Sequence, residues 1–365
     1  MTTQHAPPAR TAVPGRLARD KRVRRARLLT LGSALALVWV VLTSAATGTV
    51  DVTALDAGRL VLGHLVPGMP WMSDGSYTPL QDQVVWQFRL PRTLLAALTG
   101  AALSLAGVLL QAVVRNPLAE PTIIGVSSGA SVGAVSVVVV GAFSAVSIAA
   151  AAFGGAAAAT VLVFLLAQKH GRIAPQRLIL VALGTFLSAV TSYLTLTTEA
   201  QNVFSLMFFL LGSVSAATMT SLVGPSLALA VAAVVTGLAL RGLNALAAGD
   251  EAATALGVPV NALRTILLLT AALLTGTVVS VAGSIGFVGL VVPHVARLLV
   301  GADHRRLVPL AVVGGALFLS GADLVARTVS APAEVPLGIV TAMVGAPFFL
   351  WLMRGQAADS QGIGR

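Results

Sequence analysis

Ten apolar runs, each about long enough to cross a bilayer, follow one another along the chain. They constrain its fold more than any other feature. The runs fall at 28–47, 93–114, 122–142, 145–167, 178–198, 222–240, 265–283, 284–300, 307–327 and 336–353. A transmembrane helix needs about 20 apolar residues, so each run is a candidate span. The seventh and eighth are divided at Gly283-Ser-Ile-Gly286. A further apolar piece at 204–217 is too short to cross and reads as a partial or interfacial helix. Only 10% of the 365 residues are charged, against roughly a quarter in a soluble domain, which excludes an ordinary water-soluble fold. Disorder is excluded too, because it needs low hydrophobicity and high charge. Aromatic residues make up 5% of the chain, and alternation over ~10-residue segments is missing, so an outer-membrane barrel does not fit. The expectation is an all-α polytopic membrane protein with about ten transmembrane helices.

The formal net charge of +10 does not point to nucleic acid, because of where the charge lies. Eight of the 23 basic residues stand between Arg10 and Arg27, directly before the first apolar run. That is a cytoplasmic anchor under the positive-inside rule. With ten crossings both termini share one side, and nineteen basic residues then fall inside against four outside, Arg59, Arg89, Arg92 and Arg327. The chain divides into a basic cytoplasmic tail at 1–27, a ten-helix domain at 28–354 and a second cytoplasmic tail at 355–365. Residues 51–88 are expected to form a long external loop broken by Pro67, Pro70 and Pro79, and 241–264 the longest internal loop. Small residues four apart, Gly100/Ser104 and Gly154/Ala158, suit close helix packing in lipid.

Several chemistries are missing from the sequence. There is no cysteine, and the five histidines are scattered, so no metal site is expected. The two lysines, Lys21 and Lys169, do not follow a glycine, so the chain holds no P-loop of the form GxxxxGK[ST]. Asp323 is the one carboxylate well inside a proposed span, whereas proton- and ion-coupled transporters generally need intramembrane ionisable groups. The chain is not expected to be an enzyme by itself.

Four motifs carry the remaining signal. Arg89-Leu-Pro-Arg92 opens the second span, with Pro91 at the first helical position. Two guanidiniums at a helix N-terminus suit a carboxylate, though both could equally snorkel to headgroups. Arg115-Asn116-Pro117-Leu-Ala-Glu120-Pro121 makes a tight internal turn. In 249–258, Asp250 reads as an N-cap, Glu251 suits the first turn and Gly257 the C′ position. The short helix between them would expose Ala252, Ala253 and Ala255 and end at Leu256, as either a linker or a knob for a cytoplasmic partner. Pro293-His294-Val-Ala-Arg297 is the last cluster, with His294 read as a satisfied structural histidine. Asp323 and Arg327, four apart, are placed to pair.

Taken together, three runs resemble the FecCD family of bacterial ABC importer permeases, which serves iron–siderophore, haem and vitamin B12 uptake. They are RLPRTLLAALTGAALSLAGVLLQAVVRNPLAEPTIIGVSSGAS (89–131), GSIGFVGLVVPHVARLLVGADHR (283–305) and GADLVARTVSAPAEVPLGIVTAMVGAPFFLWLMR (321–354). The resemblance covers about residues 30–355. It implies the type II importer permease fold and a second permease subunit, identical or homologous, with the pathway at their interface. It further implies two ATP-binding subunits, which would hold ATP and Mg, and an extracytoplasmic substrate-binding protein. No cofactor is implied for this chain itself. Arg89, Arg92 and Arg327 match positions that receive acidic residues of the binding protein, and 250–256 becomes a coupling helix. The cargo expected from the resemblance is a ferric siderophore carried across the bacterial cytoplasmic membrane. Haem or cobalamin is the alternative, and an ATPase-independent secondary transporter the alternative class.

Overall fold

The computed structural model describes residues 15–141, 144–169, 172–173, 177–331 and 333–362. In chain order the helices are α1 (Gly15–Ala46), α2 (Ala54–Leu65), α3 (Pro79–Gln83), α4 (Leu90–Val114), α5 (Val126–Val139), α6 (Ala145–Ala167) and α7 (Arg177–Leu196). They continue as α8 (Ala200–Leu211), α9 (Val223–Ala247), α10 (Asp250–Ala255), α11 (Val260–Ala282), α12 (Val288–Val300), α13 (His304–Thr328) and α14 (Leu337–Gly362). Between α6 and α7 lies a minimal antiparallel pair, Gln168–Lys169 with Arg172–Ile173.

Each of the ten expected spans has a helix, and α8 is the short extra piece. Among the described residues, six helical stretches are long and apolar enough to cross a membrane alone, and α5, α12 and the apolar parts of α7 and α14 are shorter. The divided seventh and eighth spans are separate helices. Gly283 (φ 69°) and Phe287 (φ 67°) both take left-handed backbone between α11 and α12.

Helix α1 already starts at Gly15, within the basic tail; residues 1–14 lie outside the described set. Two expectations are corrected. The 51–88 loop is not irregular throughout. Thr53 caps α2 by accepting from the Asp56 N–H, and Thr78 and Gln81 form a reciprocal capping box on α3. These polar caps supply helix starts that the prolines alone conceal. The internal loop shrinks from 241–264 to 248–259, because α9 runs on to Ala247 and α11 begins at Val260.

Helix α4 is the axis of the fold. Of its most apolar stretch 83% is buried, against 17% for α1, so α4 packs in the interior and α1 along the rim. It touches α13, α11, α12, α9 and α1. Small residues permit these approaches: a Cβ on Gly100 would lie 2.1 Å from the Gly315 carbonyl oxygen, and the Ser104 hydroxyl donates to Ala311 O at 2.7 Å. The Gly100/Ser104 pair therefore packs as expected. The Gly154/Ala158 pair does not, because nothing lies within 4 Å of a Cβ on Gly154. Its neighbour Gly155 makes the contact instead, against Gly129 of α5. One residue, or 100° of helix, separates the two faces.

Candidate functional site

Two ends of the bundle carry polar machinery, and a buried joint connects them. At the α2 end, a π-helical turn (Val84–Arg89) leads into α4, with the Leu90 N–H reaching back to Val85 O. Arg89 is only 6% exposed. Its guanidinium donates to Ala45 O (3.0 Å), Ala46 O (2.8 Å) and Val50 O (2.8 Å). It thus satisfies the last carbonyls of α1, where a cation also suits the helix dipole. Arg89 is therefore corrected from a surface receptor for acidic residues to an internal cap on α1.

Arg92 and Arg327 belong to the same cluster but face Asp323, which is 1% exposed. Arg92 Nε donates to both Asp323 oxygens (3.0 and 3.2 Å), and its Nη1 meets Glu334 Oε1 at 2.7 Å. Arg327 pairs more loosely, 3.9 Å from Asp323, and donates to Ser44 O at 2.9 Å and to the Ser44 hydroxyl. The Ser44 hydroxyl in turn meets that of Thr93 at 2.6 Å. Three helices, α1, α4 and α13, are locked by this cluster. Glu334 and the edge of Arg92 are its solvent-facing part. The i, i+4 pair of Asp323 and Arg327 is the weaker contact at 3.9 Å, because Arg92 reaches Asp323 at 3.0 Å through both Nε and Nη2, with Nε hydrogen-bonded.

At the opposite, arginine-rich end stands α10. Gly249, not Asp250, is its N-cap (φ 116°). The Asp250 carboxylate is used otherwise, pairing with Arg115 (2.6 Å) and Arg264 (2.7 Å) and so mounting α10 on the ends of α4 and α11. Gly257 has the expected positive φ of 76°, and its N–H bonds Thr254 O while Val258 N–H bonds Ala253 O. That pair of bonds is a Schellman motif. Ala253 is corrected: it is fully buried in the main core, because the side of so short a helix that faces α9 must pack. Glu251, Ala255, Leu256 and Gly257 are exposed, and Ala252 is half-buried.

The joint between the ends is built from the two motifs read as turns. Arg115 takes left-handed backbone (φ 52°) to end α4, and the Asn116 carboxamide oxygen accepts from Leu118 N–H at 2.9 Å. The chain then turns back so that Pro117 and Leu118 lead Glu120 and Pro121 inward. Glu120 is 9% exposed, and its carboxylate accepts the N–H of Phe287, the N-cap of α12. Gln111 donates to Gly289 O (3.2 Å) and accepts from Arg297 (3.1 Å). Segments 111–121 and 287–297 therefore close on each other across the interior. Glu120 is a second buried carboxylate that the spans do not reveal, since its partner lies 167 residues away. His294 is corrected in one respect: it is buried, but neither ring nitrogen has a hydrogen-bond partner, and its ring packs edge-on against Phe348 at 6.0 Å. Pro293 sits inside α12 beside it.

A Glu120→Ala change is expected to destabilise the protein by about 1–3 kcal/mol, because it orphans the partly buried Phe287 N–H. Glu120→Gln keeps an acceptor and should cost much less. Thermal unfolding in detergent compares the two, and equal loss in both would remove the capping role.

Among the described residues no group of three or more His, Cys, Asp or Glu could hold a metal ion. The model of the FecCD transport family matches residues 35–355 of the chain. The chain belongs to the FecCD transport family. This FecCD protein is 41% identical over 314 residues to the cobalamin import system permease protein BtuC of Halobacterium salinarum, covering 80% of the chain and 82% of the relative. It is 40% identical over 286 residues to the hemin transport system permease protein HmuU of Yersinia pestis, covering 76% and 85%. A solved metal-chelate type ABC transporter in an inward-facing conformation superposes with a TM-score of 0.74 at 32% identity, covering 90% of this chain and 99% of that one. The FecCD chain is thus the membrane permease part of an ABC importer and not a catalyst on its own.

Proposed function

We propose that the permease works as one of two subunits, identical or homologous, whose interface passes an organic metal chelate. The arginine-rich α10 end faces the cytoplasm, where two ATP-binding subunits holding ATP and Mg dock. The α2 end faces outward and receives a substrate-binding protein through the Arg92–Glu334 edge. The orientation rests on the nineteen-to-four distribution of basic residues. Cobalamin and haem, the cargo named for the relatives above, are both metal chelates, as is a ferric siderophore. The class is therefore proposed and the ferric siderophore kept as one member of it. The open side of α7, where Phe186 and Tyr193 are 63% and 68% exposed, is proposed as pathway wall.

The observation that carries this reading is α10: a six-residue helix pinned by two ion pairs that still presents Leu256 72% exposed. A rigid mount whose exposed tip sets Leu256 between the small residues Ala255 and Gly257 suits transmission of force. A secondary transporter fits less well. Among the described residues the two buried carboxylates are committed to structural partners, Asp323 to Arg92 and Glu120 to the α12 N-cap.

The test replaces exposed Ala255 with Trp and, separately, Gly257 with Val, which resists positive φ. Both variants should insert and dock the binding protein, but stimulated ATP hydrolysis by the assembled complex should fall at least tenfold. Wild-type stimulation in both would make α10 a linker.

A further inference from the structure

On the arginine-rich end, away from α10, two clefts flank the start of α13. The first, about 600 Å³, lies between α1 and α13 and is walled by Ala26, Arg27, Leu31, Arg305 and Arg306. Its one acidic wall residue is Asp303, whose charge is already engaged. Burial would raise its pKa, but hydrogen bonds from Asn244 and from the Arg305 N–H, together with the nearby charges of Arg306 and Arg305, outweigh that and hold it below the usual carboxylate range. Arg306 has only a loose contact with Asp303, at 3.5 Å. Its Nε and Nη1 are buried with no hydrogen-bond partner. Guanidinium groups left so are costly unless an anion completes them. The second cleft, about 450 Å³, runs between α9 and α13 along Leu229, Ala233, Leu240, Val308 and Val312, and Arg305 and Pro309 border both clefts. From Leu229 to Leu240 it extends about 16 Å along α9.

We propose that this corner binds one anionic phospholipid, with its phosphate held by Arg27, Arg305 and Arg306 and an acyl chain in the α9–α13 groove. A basic headgroup pocket joined to an apolar groove has the two-part chemistry of such a lipid, and basic pockets at helix ends are known to suit anionic headgroups. The surroundings favour a lipid over a protein. On α1 the outward residues Leu28, Leu31 and Leu35 are 59%, 62% and 73% exposed, so the first cleft opens toward hydrocarbon and not only toward the aqueous phase. The placement in the inner leaflet rests on the orientation proposed above; the site itself does not.

The permease in nanodiscs of phosphatidylcholine, which expose both leaflets and so make orientation irrelevant, is probed with spin-labelled phosphatidylglycerol and spin-labelled phosphatidylcholine. The immobilised fraction of each label is read. The wild type is expected to prefer phosphatidylglycerol. Arg27→Gln/Arg305→Gln/Arg306→Gln should reduce that preference at least about fivefold, and Ala233→Phe, which fills the groove without changing charge, should also reduce it. Arg22→Gln/Arg25→Gln/Arg241→Gln removes the same charge from exposed positions outside the clefts and should leave the preference intact. An equal fall in both triple variants would mean surface potential alone and overturn the site. So would no preference in the wild type, or full competition by inorganic phosphate, which would make it a phosphate site. Loss of ATP-binding-subunit assembly in the first triple variant, with lipid preference unchanged, would assign these arginines to a protein contact instead.

Discussion

Replacing Asp323 with Asn is expected to destabilise the permease by about 3–5 kcal/mol, the cost of stripping a buried ion pair of one partner. Asp323 is 1% exposed and faces Arg92 at 3.0 Å with Arg327 at 3.9 Å. Without its charge, Arg327 keeps only Ser44 and a neutral amide oxygen, and Arg92 keeps only its partly exposed contact with Glu334. Glu334→Gln is the contrast, because that carboxylate is 36% exposed, and an exposed pair is worth only about 0–1 kcal/mol. The measurement is thermal unfolding in detergent, together with the yield of monodisperse protein. Because a well-packed apolar pair can replace a buried ion pair at little cost, Arg92→Met combined with Asp323→Leu should recover part of the loss. Equal, small effects from Asp323→Asn and Glu334→Gln would show that the cluster is solvated and does not lock α1, α4 and α13.

The second large effect is expected at Gly107, where α4 meets α12. A Cβ there would lie 1.9 Å from the Gly289 carbonyl oxygen and 2.7 Å from its carbonyl carbon, both backbone atoms that no rotamer change can move aside. Gly107→Ala must therefore push the helices apart, stretching the Gln111–Gly289 bond and the Glu120 cap together. The cost should be at least about 3 kcal/mol, the upper part of the overpacking range. Gly154→Ala supplies the control. No atom lies within 4 Å of its added Cβ, so helix propensity alone acts, and stability should hold or rise by up to about 1 kcal/mol. Similar unfolding temperatures for the two variants would mean that α4 and α12 are not in contact.

The spans were legible in the sequence because length and apolar content are local properties, and even the joint at 283–286 shows as two glycines around a short polar step. Capping signals were also local: Gly257 announced its own positive φ. Facing was harder. A short stretch such as 250–256 does not say which alanine packs, so Ala253 could not be told from Ala255. In α6 the choice between Gly154 and Gly155 depends on where α5 lies. Arg89 and Glu120 were missed in kind, since both are charged residues whose partners are backbone groups far along the chain. A carbonyl at Ala46 or an N–H at Phe287 leaves no mark in residue type. Only the fold, which brings the end of α1 and the start of α12 to them, discloses those roles.

Uptake into proteoliposomes measures most directly whether this chain is a permease driven by separate ATP-binding subunits. The permease is reconstituted alone and with a cognate ATP-binding subunit and binding protein. Cobalamin, haem and a ferric siderophore are each offered. Uptake of one of these chelates is expected only when ATP, Mg and the ATP-binding subunit are all present, with no ATP hydrolysis by the permease alone. Accumulation driven by a proton or sodium gradient without the ATP-binding subunit, or nucleotide turnover by the isolated chain, would contradict it.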